Sequence, residues 1–352
     1  MRILSVLGAR PQFIKSAPVS HEIVRNNISE VIIHTGQHFD ANMSDIFFKQ
    51  MQMTKPNYNL NINSLTHGAM TGQMLEKIED VLLRENPDWV LVYGDTNSTI
   101  AGALAAKKLH IKVAHIEAGL RSFNMQMPEE INRILTDRIS DILFCPTDKA
   151  VENLKNEGFN HFNCKIVKSG DVMFDAALTY SNLEKRPDLQ IPPKFLLSTI
   201  HRAENTNNLR RLKSIVEALN KISNETYVIL PLHPRTKNIL MNMGKNIEIK
   251  FKVIKPIGYL EMLFLLKNCS MVMTDSGGLQ KEAFFFKKPC ITLRDETEWV
   301  ELVNYGFNIV VGTEKEKIYQ GYKKMINSQL DFRVNLYGNG DASKIIVKEL
   351  LK

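Results

Sequence analysis

Three acidic side chains in the first half of the chain stand where open α/β sheets do chemistry. Asp95 lies in Gly94-Asp95-Thr96-Asn97-Ser98-Thr99, directly after an apolar run at residues 89–93. Glu117 closes the run 112–117, and Glu129 follows Pro128 at the start of a helical pattern. Two of them also have a purely local reading. Asp95 and Thr96 suit a helix cap, and Glu129 with Glu130 suits the first turn of a helix that Pro128 opens. Glu117, ending a buried strand, has no such structural task. Carboxylates gathered at neighbouring strand ends raise some of each other's pKa values and become acid/base groups for proton transfer.

Cations and glycines supply a complementary chemistry. Gly8-Ala9-Arg10-Pro11-Gln12-Phe13-Ile14-Lys15 follows the first strand-like run, with Pro11 read as the first helical residue. The free N–H groups of that helix start, with Arg10 and Lys15, form an anion site; taken alone they are equally a helix start with two solvated cations. The stretch is neither G-x-G-x-x-G nor a P-loop. In the second half, His201-Arg202-Ala203-Glu204-Asn205 follows a strand, so His201 either faces a ligand or fills the core. His233-Pro234-Arg235-Thr236 has a similar position and a weaker claim. Most specific is Thr274-Asp275-Ser276-Gly277-Gly278-Leu279-Gln280-Lys281-Glu282. There a buried strand meets a helix through glycines whose N–H groups can approach a diphosphate, and Ser276 adds a hydroxyl. Glu282, about two turns in, is placed to accept from ribose hydroxyls, which makes a nucleotide the natural ligand.

The elements that position these residues follow a βαβα rhythm. Strand-like runs fall at 2–7, 30–35, 89–93, 112–117 and 141–145, then at 195–200, 227–231, 251–254, 270–274, 290–293 and 308–311. Most are continuously apolar, as parallel strands covered on both faces are, and helical patterns such as 70–83, 99–108 and 208–222 separate them. This predicts an α/β chain of two doubly wound, Rossmann-like domains. A charged, proline-rich stretch, Glu184-Lys185-Arg186-Pro187-Asp188 to Pro192-Pro193-Lys194, sets a hinge near 170–190. The expected division is 1–170 with a final helix at about 340–352, carrying the acid/base residues, and 171–339, carrying the nucleotide.

The 352 residues, 44% apolar and 24% charged, support two cores. The net charge of +7 suits an anionic ligand, but the lysines are scattered and no aromatic-basic motif points to nucleic acid. No apolar stretch approaches a membrane span, and the N-terminus reads as a strand rather than a signal peptide. Cys145, Cys164, Cys269 and Cys290 lack C-x-x-C spacing and read as reduced thiols of a soluble, cytoplasmic protein. No metal set emerges, because His34-x-x-x-His38 spans a turn rather than one helix face.

Taken together, the motifs resemble the non-hydrolysing UDP-N-acetylglucosamine 2-epimerases. The matching stretches are Gly8-to-Lys15, Thr35-Gly36-Gln37-His38, Gly94-Asp95-Thr96, Glu117-to-Arg121, Pro128-to-Arg133, His201-to-Asn205, Ser276-to-Glu282 and Arg294-to-Glu298, in family order over nearly the whole chain. Hydrolysing relatives usually carry Ser-Arg-Ala-Glu or Asp where this chain has Ala9-Arg10-Pro11-Gln12.

The resemblance implies a GT-B-like fold with a cleft between two Rossmann-like domains, an isomerase activity without a cofactor, and a homodimer. It implies Asp95, Glu117 and Glu129 as acid/base residues and His201 on the leaving diphosphate. Ser276, Gly277, Gly278 and Glu282 would hold UDP, with Tyr259 and Phe264 near the uracil and Arg202 beside His201. Arg10 and Lys15 would lie near the phosphates and sugar, and Arg10, Lys15, Arg121 and Arg133 are the cations available to pair a sugar carboxylate. Two departures matter: Trp299 stands where many members carry Arg, and Gln73 where members activated by a second UDP-sugar tend to carry Arg. The wording around Gly94-to-Thr99, Met127-to-Arg133 and Arg294-to-Leu302 is similar to the branch acting on UDP-2,3-diacetamido-2,3-dideoxyglucuronate. The rivals are a hydrolysing 2-epimerase, a UDP-dependent glycosyltransferase, which needs an acceptor pocket rather than three carboxylates, and a non-catalytic nucleotide-sugar binder.

Overall fold

The structure, a computed structural model, describes residues 1–37, 48–232, 234–242 and 248–352, and it divides into two compact units. The first comprises Met1–Thr179 and Asn335–Lys352. Its sheet contains β1 (Arg2–Leu7), β2 (Ser29–His34), β3 (Tyr58–Asn59), β4 (Trp89–Tyr93), β5 (Lys112–Ile116), β6 (Ile142–Cys145) and β7 (Lys165–Lys168). The order is β3-β2-β1-β4-β5-β6-β7 and every pair is parallel. Every residue of β4 is buried, because helices cover both faces of a parallel sheet. The helices are α1 (Arg10–Arg25), α2 (His67–Glu85), α3 (Asn97–Lys108), α4 (Pro128–Ile139), α5 (Asp148–Asn156) and α6 (Val172–Tyr180), whose last residue begins the second unit.

The second unit, Tyr180–Val334, contains β8 (Leu196–Thr199), β9 (Val228–Pro231), β10 (Lys252–Ile254), β11 (Met271–Thr274), β12 (Cys290–Thr292) and β13 (Asn308–Val310). They run parallel in the order β10-β9-β8-β11-β12-β13. Its helices are α7 (Ala203–Thr206), α8 (Leu209–Ser223), α9 (Pro234–Asn242), α10 (Tyr259–Asn268), α11 (Gly277–Phe285), α12 (Val300–Asn304) and α13 (Lys315–Ile326). Successive side chains of β8 enter opposite cores: Leu196 packs with Leu212 and Val216, Leu197 with Leu265 and Leu279.

The last helix, α14 (Ala342–Leu350), belongs to the first unit and packs on α1. Its first turn is held by Asp175 of α6, whose carboxylate accepts from the backbone N–H of Ala342 (3.1 Å) and Ser343 (2.8 Å) and from the Ser343 hydroxyl (2.7 Å). No helix among the described residues is long and apolar enough to cross a membrane.

Both sheets reverse strand order once, between β1 and β4 and between β8 and β11. Such switch points open a crevice beyond the strand C-termini, where ligands bind. The loops after β1, β4 and β5, and those after β8 and β11, are the ones that carry the candidate residues of the sequence analysis. Helix α1 starts at Arg10 rather than Pro11, with extended Ala9 as its cap.

Candidate active site

In the first unit, Gln12 ties two of these loops together. Its Oε1 accepts from the N–H groups of Gly8 (2.8 Å) and Ala9 (3.0 Å), and its Nε2 donates to the Tyr93 carbonyl (2.7 Å). One turn further along α1, Lys15 reaches the residue after β5: its Nζ lies 2.6 Å from Glu117 Oε2, and both side chains are only about one-tenth exposed. Glu117 has φ 73°, a left-handed conformation that long side chains seldom adopt and that clusters at functional sites. Lys15 Nζ also lies against Gly94, where an added Cβ would sit 3.4 Å from it, so the Lys15–Glu117 pair borders the Asp95 turn.

Asp95 is fixed from α4. Its carboxylate pairs with Arg133, and its carbonyl accepts from Asn132 Nδ2 at 3.0 Å. Arg133 in turn donates to Glu130 Oε2 at 2.7 Å. Glu130 is fully buried and accepts from the N–H groups of Ser122 (3.0 Å) and Phe123 (2.9 Å), so it is the framework member of the Glu129-Glu130 pair. Glu129 beside it is half-buried at the start of α4, and Arg10 is half-buried at the start of α1.

Arg121 is placed differently from its expected ligand role. Its Nε and Nη2 pair with Glu157 (2.7 and 2.8 Å), and its Nη1 donates to Asp137 (2.7 Å) and to the Leu120 carbonyl (2.7 Å). With a side chain 1% exposed it is a framework cation. Burial alone would raise the Asp137 carboxyl. Hydrogen bonds and charge from His115 and Arg121 outweigh that and hold it below its ordinary value.

In the second unit, Asp275 organises the loop after β8. Fully buried, it accepts from the backbone N–H of His201 (3.0 Å) and Arg202 (3.0 Å) and from Asn205 Nδ2 (3.1 Å). The same carboxylate lies 3.2 Å from His201 Nδ1, on a side chain that is half exposed. The Asp275 carboxylate thus positions the His201 ring as well as its backbone. Arg202 is half-buried and caps α7.

Beside this loop, Ser276 is the N-cap of α11, its hydroxyl accepting from Leu279 N–H at 3.5 Å. The N–H groups of Gly277 and Gly278 open the helix, an arrangement that favours an anion. A Cβ on Gly277 would overlap the Glu298 carboxylate, so any larger residue would have to displace that side chain. Glu298 is held by Arg294 at 2.9 Å. Glu282 is 5% exposed on α11, next to the fully buried Lys281, whose ammonium sits 4.1 Å over the ring of buried Trp299. Phe264 is half-buried, with the Arg186 guanidinium 5.9 Å from its ring centroid. Tyr259, expected near a base, turns into the core instead: it is 1% exposed and packs edge-on against Tyr180 with centroids 6.4 Å apart. Of the expected motifs, His38 and His233 lie outside the described residues.

Sequence reasoning gave no role to Gln12, Asp137, Asp275, Lys281 or Glu298, although Asp275 directly precedes the Ser-Gly-Gly turn and Gln12 sits inside the first loop motif.

The profile of the family described as UDP-N-acetylglucosamine 2-epimerase matches residues 21–351. The chain belongs to the UDP-N-acetylglucosamine 2-epimerase family. As a member it is an isomerase of the UDP-sugar 2-epimerase type. It is 57% identical, over all of both chains, to the UDP-2,3-diacetamido-2,3-dideoxy-D-glucuronate 2-epimerase of Pseudomonas aeruginosa. The Methanocaldococcus jannaschii UDP-GlcNAc 2-epimerase, solved with UDP-GlcNAc and UDP, superposes with a TM-score of 0.92 at 45% identity, covering 100% of this chain and 99% of that one. The Neisseria meningitidis enzyme bound to UDP-GlcNAc superposes with a TM-score of 0.89 at 32% identity, covering 100% of both chains. This 2-epimerase therefore has the GT-B-like α/β fold of those structures.

Proposed function

We propose that the protein inverts C2 of a UDP-2-acetamido sugar by eliminating UDP and adding it back, and that its preferred substrate is UDP-2,3-diacetamido-2,3-dideoxyglucuronate. The C2 hydrogen of an acetamido sugar is barely acidic, so direct deprotonation is slow. Breaking the anomeric C–O bond first releases UDP with the bonding electron pair and leaves an oxocarbenium ion. Loss of the C2 proton to a carboxylate gives a 2-acetamidoglycal. Reprotonation of C2 from the opposite face and return of UDP to C1 complete a redox-neutral epimerisation.

The observation that carries this reading is the pair of charge-compensated carboxylates, Glu117 with Lys15 and Asp95 with Arg133, at the first unit's switch point. Asp95, Glu117 and Glu129 carry the proton transfers and stabilise the cation. The second unit holds UDP: Gly277 and Gly278 N–H groups and the Ser276 hydroxyl on the diphosphate, Glu282 on the ribose, Phe264 near the uracil. His201, tethered by Asp275, meets the charge that develops on the leaving diphosphate, together with Arg202.

The acidic sugar is favoured by the full-length likeness to the Pseudomonas aeruginosa enzyme and by Trp299, stacked on Lys281 where many members carry Arg. Its C6 carboxylate needs a pairing cation. Comparing kcat/KM for this sugar and UDP-N-acetylglucosamine tests the preference. A tenfold ratio in favour of UDP-N-acetylglucosamine, about 1.4 kcal/mol of transition-state binding, overturns it and leaves the C2 chemistry standing.

The protein works as a cytoplasmic homodimer in this reading. Its support is the four free cysteines and the exposed apolar residues Phe123, Met125, Ile131 and Leu135 on α4 and the loop before it. Light scattering at the mass of one chain would count against the dimer.

A further inference from the structure

His115 of β5 is fully buried beneath the Asp95 turn, and both of its ring nitrogens meet acceptors. Nε2 lies 2.7 Å from the Gly94 carbonyl oxygen, and Nδ1 lies 2.7 Å from Asp137 Oδ1. A carbonyl oxygen has no proton to give, so Nε2 donates. Asp137 Oδ2 already accepts from Arg121 Nη1 (2.7 Å) and from the Gly119 N–H (3.1 Å), which suits an ionised carboxylate, so Nδ1 donates as well. Neutral imidazole carries one N–H and the cation two. We infer that these two hydrogen bonds hold His115 as an imidazolium and that it acts as a positioning residue for the turn that presents Asp95.

Charge balance supports this. Asp137 and Glu157 supply two negative charges and Arg121 and His115 two positive ones, so the group is neutral in surroundings where an unpaired charge is costly. Two thiols nearby add no charge: burial, with Asp137 adding to it, pushes the Cys145 thiol well above its ordinary value and raises the Cys164 thiol, while the charged groups around the Gly94 turn are paired, Lys15 with Glu117 and Asp95 with Arg133. The network also spans the right places. His115 holds Gly94, next to Asp95. Asp137 holds Gly119, two residues beyond Glu117, and stands on α4, which carries Glu129 and Arg133. His115 touches no reacting atom; it acts through Gly94. The positioning role rests on the proposed acid/base function of Asp95, whereas the charge of the ring does not.

The test uses the full-length protein labelled with 15N-histidine. The expected spectrum contains one ring with both nitrogens protonated at neutral pH, and that ring is missing in His115→Gln. That spectrum is read on the wild-type protein, so it decides even where a variant fails to fold. In Asp137→Asn the same ring is expected to lose its Nδ1 proton. His115→Gln is expected to lower kcat by roughly 10–100-fold with KM and UDP binding within about threefold, the pattern of a displaced acid/base turn. A bare ring nitrogen on His115 at neutral pH, or wild-type kcat in His115→Gln, overturns the inference. An active Asp95→Asn protein would instead remove the acid/base reading and leave the charged ring standing.

Discussion

Lys15 and Glu117 lie 2.6 Å apart in a poorly hydrated corner, so neither is a solvated surface charge that a substitution could remove without consequence. Asp95→Asn, Glu117→Gln and Glu129→Gln are each expected to lower kcat by roughly 10²–10⁴ while UDP affinity, measured by calorimetry, changes little. Glu282→Ala is expected to do the reverse and weaken UDP binding. A Glu117→Gln enzyme with normal turnover would take Glu117 out of the proton-transfer set. At this scale the sequence is readable where position carries the message. Asp95, Glu117 and Ser276 follow strand ends, and the structure finds them beside cations or at a helix start. It is unreadable where a partner distant in the chain decides: Arg121 looks like any loop cation until Asp137 and Glu157 are brought to it, and Tyr259 looks like an accessible ring until α10 turns it into the core.

Strands and helices set these partners, and α4 brings three buried charges, Glu130, Arg133 and Asp137, to the first unit. It carries Glu129, Glu130, Arg133 and Asp137 on one side and shows Ile131 and Leu135 on another. The Asp137 carboxyl is depressed in the folded protein, so it stabilises the fold at pH values above the ordinary carboxylate range. That contribution is lost as pH falls through the lowered folded value. Asp137→Asn is expected to cost about 3–5 kcal/mol at neutral pH, the scale for breaking a buried ion pair, and to flatten the acid limb of stability against pH. Urea unfolding across a pH series reads both; an unchanged acid limb would mean that Asp137 does not report the pairing. The long apolar runs made most strands legible to within a residue. β3, with two residues, and β7, Lys165-Ile166-Val167-Lys168, are edge strands too short or too charged to stand out, and only the neighbouring strand defines them.

For the molecule as a whole, the parallel order of both sheets and the full-length family match agree with the α/β, 2-epimerase reading that the motif order implied. Substrate choice belongs to the same scale, because a sugar and its nucleotide together contact more than any one motif. Trp299 and Gln73, the two departures from the residues the family resemblance implies, signal a difference without naming the sugar. Epimerisation by elimination and re-addition requires that the C2 proton leaves and that another returns on the opposite face. Proton NMR of the UDP-sugar product formed in D2O reads this directly. Deuterium is expected at C2 of the epimerised product, and a product that keeps its original C2 hydrogen would rule out elimination and re-addition.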